Sequence, residues 1–100
     1  MGRGDQARRS DALRLVREEY EAAALFHGTT PEQLERINRP RPSWMRYGSV
    51  LELVREHLAR AGAVSTFAVN VGFITPEEAA QIIRDFSAAH PEMDYLDDAG

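Results

Sequence analysis

The sequence predicts an all-α protein, a compact bundle of about four to five short helices. Apolar residues recur at spacings of three and four over most of the chain, which places them on one face of a helix. Two Thr-Pro-Glu steps, at Thr30 and Thr75, restart helices in the way local chemistry favours. No two alternating segments are joined by a hairpin turn, so no sheet is evident within the chain.

The first helix runs from about Asp11 to Phe26, after a frayed N-terminus over residues 1–9. Leu13, Val16, Tyr20 and Ala23 or Ala24 share its inner face, and Leu15, Ala22 and Phe26 widen the stripe. Ser10 is a suitable N-cap, and Gly28 offers the left-handed residue that often ends a helix. Thr30 then caps a short second helix, Pro31 occupies a position where its missing N–H is not needed, and Gln33 can reach back to the cap. Leu34 and Ile37 are its inward pair. Pro40 and Pro42 end it and make Asn38 to Ser43 a loop.

The third helix starts near Ser43 or Ser49, with Ser49 and Glu52 as a further capping box and Gly62 as its end. Leu51, Val54, Leu58 and Ala61 form its apolar face. Residues 63–74 read two ways. Phe67, Val69, Val71 and Phe73 alternate as a strand would, pairing across a dimer, whereas Ala63, Phe67, Val71 and Ile74 fit a helix. Gly72, followed by Ile74 and the Thr75 cap, favours the helical reading, with Ile74 and Ala79 as a hydrophobic staple. The last helix opens at Thr75-Pro76, turns Ala79, Ile82, Ile83 and Phe86 inward, and closes at His90-Pro91. An acidic tail over residues 91–100 follows, and residues 1–100 form one domain.

Composition narrows the function. The chain has 100 residues, no cysteine, and a net charge of −4. Disulfides, thiolate catalysis and thiolate metal sites are excluded. All twelve basic residues are arginine, so lysine-dependent phosphate loops and Schiff-base chemistry are excluded too. The histidines show no paired metal-ligand spacing, and neither a metal nor a cofactor is expected. No apolar stretch approaches the length that spans a bilayer, and the polar N-terminus lacks a signal-peptide core; the expected location is the cytoplasm, away from membranes.

Charge is uneven. Residues 1–50 carry nine arginines and seven acids, whereas residues 51–100 carry three arginines and nine acids. Arg36, Arg39, Arg41 and Arg46, interleaved with Trp44 and Tyr47 around a proline-stiffened loop, form the most function-like cluster. Tryptophan, tyrosine and arginine are the residue types that anchor protein interfaces, so these six residues are the candidate partner-binding set. Another protein is the expected partner, with a homodimer as one form of it. The same set suits nucleic acid, arginine on phosphate and aromatics on bases, although a pI near 5.3 is unusual for a dedicated nucleic-acid binder. A third reading places Trp44 as a plug in the core.

Leu25-Phe26-His27-Gly28-Thr29-Thr30, with Ile37 beyond, resembles the first motif of the ADP-ribosyltransferase families. That resemblance implies an NAD-using enzyme in which His27 stands in a turn after a strand and holds the dinucleotide. Those families continue through strands bearing a tyrosine and a glutamate, where residues 31–61 here read as helical. With no complete catalytic set in the chain, the leading expectation is a non-enzymatic interaction protein: a small regulator, adaptor or accessory subunit.

Overall fold

The computed structural model describes residues 3–93, and these fold into four α-helices with no strand among them. They are α1 (Arg3–Phe26), α2 (Pro31–Asn38), α3 (Val50–Asn70) and α4 (Pro76–Ala89), with 3₁₀ turns at Ser43–Met45 and Pro91–Met93. The all-α expectation holds. Two of the helices, of 24 and 21 residues, are longer than expected, and the molecule measures 49 × 29 × 19 Å.

α1 and α3 pack along their lengths as an antiparallel pair: Phe26 at the end of α1 stacks on His57 in the first half of α3, with ring centroids 4.3 Å apart. The seam is built largely from small residues, with Ala12, Ala23, Ala61, Ser65 and Ala68 buried beside Val16, Leu53 and Val54. Small side chains let helix axes approach closely. α4 runs parallel to α1 and is tied to it in three places. Arg9 pairs with Glu78 at 2.6 Å, the Tyr20 and Phe86 rings lie 5.3 Å apart, and His90 Nε2 meets Glu21 at 2.9 Å.

The first helix begins at Arg3, so residues 3–9 are helical where a frayed segment was expected, and Ser10 lies inside the helix instead of capping it. The Arg9–Glu78 contact supplies a tertiary tie that the local sequence does not reveal. Leu15 points largely to solvent, and Gly28 is not left-handed; Gly72, at φ +80°, is the only described residue in that region.

Gly62 does not end α3, which continues to Asn70, so residues 63–70 are helical and the strand alternative fails. Glycine inside a helix costs about 1 kcal/mol relative to alanine. Burial of Ala61, Ser65 and Ala68 on the flanking turns offsets that cost. A Cβ at Gly62 would meet no atom within 4 Å, so Gly62→Ala is expected to stabilise by about 0.5–1 kcal/mol. A rise in the thermal midpoint of roughly 4–8 °C per kcal/mol would report it, and an unchanged or lower midpoint would contradict it.

The true end of α3 is a Schellman turn. Phe73 N–H donates to Ala68 C=O at 2.9 Å and Gly72 N–H to Val69 C=O at 3.0 Å. The chain then enters α4 through the expected capping box: Glu78 N–H donates to Thr75 Oγ1 at 3.1 Å and Thr75 N–H to Glu78 Oε1 at 2.9 Å. Ile74 is buried and Ala79 packs on the same cluster, as the staple requires. Ile83, expected inside, is half exposed.

Residues 91–93, assigned to the acidic tail, form a 3₁₀ turn that buries Met93 against Val54. Residues 94–100, the rest of the proposed tail, lie outside the described residues. His90, between Glu21 and Glu92, is held above the usual imidazole range, chiefly by its hydrogen bond to Glu92 and then by Glu21. A raised folded-state value means the contact stabilises fully below the unfolded value of about 6.5 and weakens as pH rises through the folded value. The stability gap between the native chain and His90→Gln is therefore expected to be larger at pH 5.5 than at pH 8.5. An equal gap at both pH values in urea titrations would remove this assignment.

Candidate interaction surface

The stretch between α2 and α3 is a constrained loop. Asn38, the last residue of α2, closes it from one side: its Nδ2 donates to Tyr47 C=O at 2.9 Å and its Oδ1 accepts Tyr47 N–H at 2.8 Å. One side chain thus meets both backbone groups of a residue nine positions on. Inside the loop, Arg41 Nε donates to Met45 C=O at 2.8 Å and Arg46 Nε to Arg41 C=O at 3.0 Å. The Arg41 guanidinium also sits 4.6 Å from the Tyr47 ring centroid, a cation–π contact.

The far side is fastened to α3. Tyr47 donates its hydroxyl proton to Glu56, and Gly48 N–H donates to Glu52 Oε2 at 2.6 Å. Partial burial, with the Glu56 carboxylate beside it, holds the Tyr47 phenol above its usual range. Ser49 Oγ accepts Glu52 N–H at 3.2 Å, which is half of the expected capping box. The other half is missing because the Glu52 carboxylate is spent on Gly48.

This lattice displays Trp44. The indole sits in the Ser43–Met45 turn, 81% exposed, with Met45 beside it also exposed. The reading of Trp44 as a core plug is therefore wrong: the indole belongs to neither buried cluster, which α1, α3, α4 and the Pro91–Met93 turn fill. Of the six candidate residues, Arg41, Trp44, Arg46 and Tyr47 form one unit. Arg41 and Arg46 engage the loop through Nε, and neither makes an ion pair among the described residues. Arg39 is exposed on the C-terminal side of α2, 3.6 Å from Glu35, and lines a shallow hollow with Arg46 and Tyr47. Arg36 lines a different groove, between α1 and α2. Helix geometry separates what the sequence runs together.

Sequence reasoning missed Asn38 and Glu56. Asn38 falls within the expected loop, Asn38 to Ser43, which its side chain in fact closes. A polar residue at a helix end just before two prolines was the available signal for Asn38; nothing local pointed to Glu56.

His27 lies in the turn between α1 and α2, with helix on both sides. The strand context of the transferase motif is absent among the described residues. His57 is pulled below its ordinary value, first by burial and then by Arg60, and its ring is occupied by Phe26. Among the described residues no group of three His, Asp or Glu side chains is placed to hold a metal ion, and no helix is long and apolar enough to cross a membrane. Comparison with known proteins gave no matching family model, no similar curated protein and no similar solved structure.

Proposed function

We propose that this protein is a non-enzymatic protein-interaction module, a small regulator, adaptor or accessory subunit, that docks through Trp44. The observation that carries this reading is a fully displayed tryptophan on a loop fixed by hydrogen bonds at both ends. Ordering a side chain and its loop on binding costs about 0.5–1.5 kcal/mol per flexible side chain. A loop ordered beforehand avoids much of that cost. Tryptophan flanked by arginine is also the composition of interface anchors.

The test is a photo-crosslinking amino acid placed at position 44 in the living cell, with the same group at exposed Glu77 as the control. Discrete protein adducts at 44 and none at 77 are the expected result; equal yields at both would dismiss the anchor. Trp44→Ala is expected to leave helical circular dichroism and stability unchanged to within about 0.5 kcal/mol, because no core contact is lost.

The guanidinium groups of Arg41 and Arg46, together with Arg39, favour a second reading, nucleic-acid binding. Its sign would be nuclease-sensitive adducts at position 44 and binding that falls steeply with salt, since each neutralised phosphate releases counterions.

A further inference from the structure

α4 ends at His90, whose N–H donates to Phe86 C=O at 2.9 Å and whose ring lies 4.8 Å from that of Phe86. The Pro91–Met93 turn hangs from this residue, since Met93 N–H donates to His90 C=O at 3.0 Å. Met93 is buried on Val54, with Phe26, Val50, Leu51, Leu58 and Phe86 packed around the pair. The turn is thus a three-residue flap closed over an apolar cluster.

The His90 imidazole ties this flap to α1. Its Nε2 meets both Glu21 oxygens, at 2.9 and 3.1 Å, and its Nδ1 meets Glu92 Oε1 at 3.1 Å. An ionised carboxylate can only accept a hydrogen bond, and a neutral imidazole has one N–H and one lone pair. Both contacts are therefore hydrogen bonds only when the ring is charged. Loss of the proton sets a lone pair against a carboxylate on one side, whichever tautomer remains. Glu21 stands on a 24-residue helix and Glu92 on the three-residue turn, so the turn is the part that yields.

The other charges nearby leave this balance in place. Arg17 and Asp85, one of each sign, line the adjoining hollow between α1 and α4. His27, in the α1–α2 turn, lies near enough to Glu92 to favour its ionised form. α3 meets the flap through Val50, Leu51, Val54 and Leu58, none of which titrates, with His57 beyond them stacked on Phe26. Glu92 and then Glu21 hold the His90 ring above its ordinary range. With a raised folded-state value, the tie is complete below about pH 6.5 and is lost as pH rises through that folded value.

We propose that His90 is a proton-operated clasp: charged, it closes the Pro91–Met93 turn over the Val54 cluster, and neutral, it releases the turn while the four helices stay folded. A short segment at the end of a helix is the kind of unit that opens locally, at less cost than global unfolding. Release uncovers Val54, Phe26 and Leu58, an apolar patch present only on the alkaline side. The clasp is independent of the Trp44 reading.

The test is an NMR titration of the full-length chain from about pH 5.5 to 8.5, a range that brackets the imidazole, with labelled methionine methyls and histidine rings. Met93→Leu and His90→Gln assign the two signals. The Met93 methyl is expected to leave its ring-shifted position among Phe26 and Phe86 and move towards that of exposed Met45. Its midpoint should match that of the His90 ring, with helical circular dichroism constant. Protection of the Met93 amide against hydrogen exchange should fall about tenfold over the same range. His90→Gln should abolish the step. Glu92→Gln and Glu21→Gln, at exposed carboxylates, should each move it to lower pH, because an amide can donate to the neutral ring. A Met93 signal that stays fixed while the His90 ring titrates would overturn the clasp. So would a step that survives His90→Gln, a step unmoved by both glutamate changes, a His90 midpoint below about 6.5, or loss of helix together with the Met93 shift.

Discussion

Leu53→Ala is expected to lower the unfolding free energy by about 2–5 kcal/mol, the cost of removing a buried leucine and leaving part of its volume empty. Leu53 is 1% exposed and, with Val16 and Val54, among the largest fully buried side chains. Most of the remaining core positions between α1 and α3 are alanine or serine, and small side chains cannot swing in to fill the gap. A domain of this size holds about 5–15 kcal/mol in total, so one methylene cluster decides a large share of it. Urea unfolding measures the difference, and Leu25→Ala, at an 81% exposed site, serves as the near-neutral control. A loss below 1 kcal/mol at Leu53 would mean that the seam collapses freely, contrary to the packing described.

The second large effect is expected at Asn38. Replacing it with alanine deletes both side-chain bonds to Tyr47 and leaves two partly buried backbone groups to find water. The expected cost is about 1–3 kcal/mol, concentrated in the loop and not in the helices. Hydrogen exchange at the Tyr47 amide should accelerate sharply, while amides in the middle of α3 slow or quicken only with global stability. Asn38→Asp, which keeps the acceptor and loses the donor, should fall between. Unchanged exchange at Tyr47 would show that Arg41, Arg46 and Glu52 hold the loop without Asn38.

The parts of this fold legible in the sequence are those written in neighbouring residues. The boxes at Thr30 and Thr75 need four residues each, the Schellman turn at Gly72 needs six, and all three form as their chemistry predicts. The failures come where distant residues overrule near ones. Gly62 has the look of a helix end, but flanking burial carries α3 through it. Arg9 finds Glu78 across 69 positions, a tie within the part of α1 that the local sequence leaves frayed. Leu34 and Ile37 have an inward-facing spacing, yet spacing cannot say whether another element arrives to cover them.

The candidate site divides in the same way. The arginine, tryptophan and tyrosine cluster could be named from residue types alone. Whether Trp44 faced solvent depended on how much core the other helices filled. That Arg36 belongs to a separate groove depended on which face of α2 meets α1, and that Asn38 grips Tyr47 depended on the path of the chain around two prolines.

Trp44 is the chain's sole tryptophan, and its exposure has a spectroscopic consequence. An indole already bathed in water in the native state has little further to go when the protein unfolds. Its emission should shift only slightly on denaturation, and a melting curve followed at that wavelength would look flat for a protein that is in fact losing its helices. The same indole, carried into a dry pocket, would shift to the blue. In this molecule intrinsic emission is a gauge of contact with other molecules, silent about folding and loud about company.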